Sequence, residues 1–192
     1  MRKSLAVFGE GPTEWYYIDS LRIAKRYPFT MRPSLPQHAD IKHMLAMAKQ
    51  CLNEGFDEVI CLLDMDRLNS HPAEMQTYRT AKQQKAYRKV TFIETDPCTE
   101  YWFLLHFIPQ LSQRHFDSYA AIETELHKYL PQYEKTEQYF KRNKLFPMLT
   151  SSGNLDHALE LARQSVKLYE EGLPNSYTEM FRLFDKLDEF AK

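Results

Sequence analysis

No apolar run in the chain approaches the roughly 18 residues that a membrane-spanning helix requires. Only SLAVF precedes Gly9 after the basic start, too little for a signal-peptide core. Cysteine is scarce: Cys51, Cys61 and Cys98 are odd in number and form no CxxC pair, so neither a zinc site nor a redox dithiol is expected. Buried free thiols in a reducing cytoplasm fit that usage. An excess of one charge is missing too. The 25 Lys and Arg against 26 Asp and Glu leave a net charge of -1, so any site for a polyanion has to be local. His38, His43, His71, His115, His127 and His157 show no HxxxH or HExxH spacing, which argues against a zinc hydrolase. Neither GxGxxG nor a P-loop occurs, and GEGP has the wrong glycine register for cradling phosphate, so any ATP hydrolysis has to come from a partner.

What is present suffices for one substantial core: 192 residues, 43% hydrophobic. SLAVF at 4–8 predicts a buried strand, and Pro12 opens a helix with Trp15, Ile18, Leu21 and Ile23 at helical spacing out to about Arg26. FTMRPSLP reads as an edge strand or loop because of its prolines. Asp40 caps a helix running to about Glu54, which Gly55 closes. The apolar run Val59–Leu63 predicts a central strand buried on both faces. A polar helix from Pro72 to Arg88, a strand at 89–95 and an aromatic helix at 98–107 follow. This alternation predicts an α/β fold, a parallel sheet of about four strands flanked by helices over residues 1–108. Residues 109–192 show helical periodicity and nothing that reads as a strand, which predicts a helical extension packed on the core.

Ligands of parallel sheets bind beyond the carboxyl ends of the strands. Glu10 follows the first strand, and Asp64 and Asp66 follow the central one. On an extended segment, alternate residues point the same way, so Asp64 and Asp66 are expected to share one side. Glu14, one turn beyond Glu10, adds a fourth carboxylate. Acids crowded together repel unless a cation neutralises them, and hard oxygen donors without His or Cys suit Mg²⁺ or Mn²⁺. A DxD alone is weak, since it is also common on solvated turns.

Those residues carry a family resemblance. VFGEGPTEWYYIDSL resembles the opening glutamate motif of Toprim domains, compact α/β folds of topoisomerases, primases and OLD-type nucleases, and EVICLLDMD resembles their DxD motif. The closer resemblance is to the RloB-like branch, through the EGxTE start, the DxD and DPCTEYWFLLHF, with weaker echoes in YEKTEQYF and LPNSYTEMFRLFDKL. The chain departs from that pattern at Thr95-Asp96, where Ser-Asn is usual, and at Thr99, where Phe is usual. The resemblance implies Glu10 as general acid/base or metal ligand, Asp64 and Asp66 as metal ligands, and Glu14 as the second glutamate of OLD-type enzymes. It further implies metal-dependent cleavage of DNA or RNA in bacterial anti-phage or restriction-linked loci, beside an AAA-type ATPase partner. A non-catalytic nucleic-acid-binding or regulatory module on the same fold is the alternative, and self-association is left open.

Phosphodiester chemistry also calls for a cation at the nonbridging oxygens, for which Arg67 and Lys135 are the candidates. Arg79, Lys82, Lys85, Arg88 and Lys89, interleaved with Tyr78 and Tyr87, read equally as a phosphate track or a solvated helix face. Glu100 lies in so apolar a helix that it needs a partner, either metal or an arginine such as Arg22, and His106 reads as structural.

Overall fold

A computed structural model describes residues 4–32, 40–112 and 114–191, with the side chain of Ser152 excepted. The elements in chain order are β1 (Leu5–Phe8), α1 (Pro12–Lys25), β2 (Thr30–Met31), α2 (Ile41–Asn53), β3 (Glu58–Asp64), α3 (Met65–Ser70), α4 (Pro72–Gln83), β4 (Val90–Asp96) and α5 (Glu100–Leu105). They continue with α6 (Tyr119–Leu126), α7 (Glu137–Arg142), α8 (Leu145–Ser152), α9 (Leu155–Glu170), β5 (Tyr177–Thr178) and α10 (Met180–Ala191).

The sheet runs β2-β1-β3-β4-β5, parallel throughout except for the antiparallel β4–β5 pair. The chain is therefore α/β, with β3 in the middle. Its five apolar residues are buried on both faces, as a run without alternation requires. Leu5, Val7, Ile60, Leu62 and Ile93 point into one cluster with α1, α5 and the helices beyond residue 118, while Ala6, Phe8, Val59, Cys61, Leu63 and Phe92 point into a second with α2, α3 and α4. The period-two alternation of the strands thus sorts the helices into two layers.

Several expectations are met. Asp40 caps α2 by accepting from the His43 backbone N–H at 2.8 Å, and Gly55 follows that helix with a φ of 97°. The three cysteines are buried and free. Residues 33–36 of the expected edge strand, and His38, lie outside the described residues; Thr30–Met31 form the edge strand itself.

Four expectations need correction. Ile23 is 53% exposed rather than core, and Tyr17 takes the buried position on α1 instead. The helix expected to reach Arg88 ends at Gln83, followed by a short 3-10 turn at Lys85–Tyr87. The segment beyond residue 108 does contain a strand, β5, through which Thr95 and Asp96 gain partners in Thr178 and Tyr177. Asp66 is not on extended chain: β3 ends at Asp64, and the chain turns into α3 at Met65, so Asp64 stands at the helix entrance and Asp66 in its first turn. The Asp66 N–H bonds to the Pro97 carbonyl at 2.9 Å, which pulls this turn toward the end of β4.

Candidate acidic centre

The centre is assembled from the carboxyl ends of β1 and β3 and from the start of α5. Gly9 lets α1 come close: a Cβ there would lie 2.3 Å from Glu14 Cβ. Glu14 is 3% exposed and accepts from the Gly11 N–H at 2.8 Å, half of a capping box whose other half a glycine cannot supply. Glu10 reaches across to β3 and accepts from the Asp64 N–H at 3.1 Å. Asp64 Oδ1 accepts from both the backbone N–H and the hydroxyl of Thr99, at 2.8 and 2.9 Å. Thr99 is one of the departures from the family pattern, and here it orients the first aspartate of the DxD.

Glu100 is fully buried and takes its partner from far along the chain. The Lys135 ammonium lies 3.1 Å from its Oε1 and 3.2 Å from its Oε2, and the Tyr133 hydroxyl donates to Oε1 at 3.0 Å. Arg22, the partner considered from sequence, pairs with Asp19 instead. Lys135 is thus a member of the centre. Arg67 is turned away, forked onto Glu74 at 2.8 and 3.1 Å with its side chain 45% exposed.

The electrostatics follow from burial of like charges. Burial, then Glu14, pushes the Glu10 carboxyl up to about 8, with the Asp64 N–H opposing and Asp66 adding to the rise. Burial and then Glu100 raise Glu14, while burial with Glu14, Glu10 and Glu100 holds Asp64 well above the usual carboxylate range. Burial works against the Lys135 charge, but Glu100, Asp64 and Glu14 more than offset it, so its ammonium persists through neutral pH.

Among the described residues, no three His, Cys, Asp or Glu side chains converge as ligands on one point. The donor chemistry nevertheless fits a hard divalent cation. The carboxylates raise one another's proton affinity, which is the repulsion a cation relieves, and Glu10 and Asp64 each keep an oxygen outside the bonds given above.

Other expected residues separate. His106 is buried, bonds Trp102 O through Nδ1 and is pushed down to about 4 by burial, as a structural histidine is. Asp96 pairs with His115 at 2.6 Å and takes the Asn69 amide at 3.1 Å. The basic run divides: Arg79 and Lys82 line a cavity beside α3, Arg88 and Lys89 line another with Asp57 and Lys186, and Tyr78 and Tyr87 are core. Sequence reasoning passed over Thr99, whose role depends on a pairing across 35 residues, and Tyr133, whose hydroxyl reaches Glu100 from 33 residues away.

No curated protein and no solved structure matches the chain. The family model described as RloB-like protein matches residues 5–187, from the first residue of β1 into α10 and across every acid and cation of this centre, and the chain therefore belongs to the RloB-like family.

Proposed function

We propose that the chain is a Toprim-type nuclease that hydrolyses phosphodiester bonds of DNA or RNA with Mg²⁺ or Mn²⁺, in bacterial defence alongside an AAA-type ATPase. The observation that carries this reading is the gathering of buried Glu14 with half-buried Glu10 and Asp64 at the ends of β1 and β3, each with a raised proton affinity. Glu10, Asp64 and Asp66 would hold the cation, with Glu14 behind them. Once bound, it would neutralise charge at phosphorus and lower the pKa of a water.

The chain's own residues have separate tasks. Thr99 fixes one oxygen of Asp64 and leaves the other for a ligand. Glu10, poised near neutrality, can give or take a proton at a reacting oxygen. Lys135, anchored by Glu100, brings a permanent positive charge toward the same acids and suits a nonbridging phosphate oxygen. Arg67 would have to leave Glu74 to assist.

One observation favours the alternative, a non-catalytic module regulating the ATPase: the acids do not converge on a point, and Lys135 already neutralises part of their charge. Titration calorimetry with Mn²⁺ separates the two readings. The nuclease reading expects binding by the wild type, none by Asp64→Ala, and nucleic-acid cleavage with ATP, Mn²⁺ and the co-purified ATPase that Asp64→Ala and Glu10→Gln abolish without unfolding. Absence of metal binding at millimolar Mn²⁺ would leave the regulatory module.

A further inference from the structure

Lys135 is held in place from both directions along the chain. It lies between α6 and α7, two residues after Tyr133, which is buried with its ring against Phe103, Tyr139 and Phe140. The next residue, Thr136, caps α7 by accepting from the Tyr139 N–H at 3.2 Å. The ammonium stands over the Tyr119 ring, 4.5 Å from its centroid. Anchors on either side and a ring beneath make the lysine charge a fixed part of the acidic centre.

The carboxylates divide by how many oxygens they still have to offer. Glu100 has none: Lys135 stands 3.1 and 3.2 Å from its two oxygens, and the Tyr133 and Thr13 hydroxyls and the Cys98 thiol donate to it as well. Glu14 accepts from the Gly11 N–H at 2.8 Å and also bonds the Thr99 side chain. The Lys135 charge acts on Glu100, Asp64 and Glu14 together. What remains is one oxygen of Glu10, one of Asp64, and one of Asp66, whose other oxygen takes the Arg67 N–H. Three such oxygens suit one Mg²⁺ or Mn²⁺, an ion of the kind that keeps several waters and takes few carboxylates directly. A pair of ions about 4 Å apart asks for more, and among the described residues no three acids converge.

We propose that the centre takes a single divalent cation, at Glu10, Asp64 and Asp66, and that the Lys135 ammonium stands in the place of a second one, beside Glu100 and Glu14. A fixed positive charge there deprives a further ion of its ligands and repels it. The proposal rests on the metal-dependent reading above and specifies its stoichiometry: a phosphodiester would meet one metal and one ammonium, not two metals. It also gives Glu100 a purpose. A buried carboxylate surrounded by donors serves to hold a lysine rather than an ion.

Counting Mn²⁺ on the full chain after EDTA treatment and desalting tests this without substrate or cleavage, by equilibrium dialysis and by the electron paramagnetic resonance spectrum of the bound ion. The wild type is expected to bind one Mn²⁺, with the spectrum of an isolated ion, and Asp64→Ala to lose it. Lys135→Ala, checked for folding by circular dichroism, should bind two, because Glu100 and Glu14 are then short of a positive charge. Its spectrum should show the coupling of ions about 4 Å apart. Lys135→Arg, which keeps the charge, and Lys135→Ala/Glu100→Gln, which removes the acid as well, should each bind one. Two Mn²⁺ on the wild type, or only one on a folded Lys135→Ala, would overturn the proposal and leave the nuclease reading standing. A wild type that binds no Mn²⁺, or an ion that Asp64→Ala retains, would remove the metal-dependent reading and the proposal together. Where Lys135→Ala does not fold, the wild-type count and spectrum decide.

Discussion

At the scale of single residues, the Glu100–Lys135 pair decides how the acidic centre tolerates its own charge. Glu100 has no exposure, and its donors are Lys135, Tyr133 and, at 3.5 Å, the Thr13 hydroxyl. Lys135 keeps 35% of its side chain exposed, so solvent screens part of the attraction, and the pair is worth less than a fully buried one. Removing only the lysine still leaves a carboxylate in the core short of a donor. Lys135→Met is expected to lose about 1–3 kcal/mol, read as a lower urea midpoint with an unchanged slope. The double variant Lys135→Met/Glu100→Gln should recover much of that loss, because the amide carries no charge to strand. If Lys135→Met proves as stable as the wild type, Glu100 does not depend on this partner.

At the scale of elements, the approach of α1 to the end of β1 sets the geometry of Glu10 and Glu14. Gly9 permits it: an added Cβ would meet Glu14 Cβ at 2.3 Å and Cγ at 2.8 Å, and a Cβ so close to the root of a side chain cannot be relieved by a rotamer change alone. Gly9→Ala is therefore expected to destabilise by roughly 1–3 kcal/mol and to displace Glu14. A denaturant melt together with Mn²⁺ calorimetry would detect both effects, and an unchanged melt would show that α1 has room to give. The glycine before Glu10 was legible only as the end of a strand; its packing duty was not. Elements with their own periodicity, such as β3 and α2, could be read directly from the chain. Those that rely on tertiary partners could not. β5 is two residues long and exists by pairing with β4; α8 carries Pro147 in its first turn, where the missing N–H does no harm, and a proline reads locally as a break. Asp66 was misplaced for a similar reason: the turn into α3 depends on the Pro97 carbonyl, 31 residues away. The acids were legible because strand ends are, whereas Thr99 and Tyr133 needed the fold to bring distant segments together.

For the whole molecule, the acidic centre makes stability depend on pH, and the proposed metal would be coupled to that dependence. Residues from α1, α5 and the later helices share one hydrophobic cluster with the sheet, so repulsion inside the centre is felt as strain on the common core. Glu10 is raised from 4.5 to about 8, and Glu14 and Asp64 are raised with it. A carboxyl with a raised folded-state pKa holds its proton more tightly in the folded chain than in the unfolded one. Its contribution is complete below the unfolded value and is lost as pH climbs through the folded value. Glu94 works in the opposite sense: burial opposes its charge, but Lys82, Tyr78 and Tyr177 keep its pKa below normal, so its contribution is lost only on acidification. His106, held down to about 4, opposes the centre up to its unfolded value, so the centre dominates between about pH 6.5 and 8. In EDTA the melting temperature should fall as pH rises across this window, by about 3–5 °C per pH unit for each proton released, given ~1.4 kcal/mol per unit and the size of the chain. A cation at Glu10, Asp64 and Asp66 would compete with those protons, so Mn²⁺ should bind more tightly and raise the melting temperature more at pH 8 than at pH 6. Differential scanning calorimetry at both pH values, with and without Mn²⁺, measures the four quantities required. A melting temperature flat in pH would show that the acids carry ordinary proton affinities. A Mn²⁺ shift equal at the two pH values would show that the ion binds away from them.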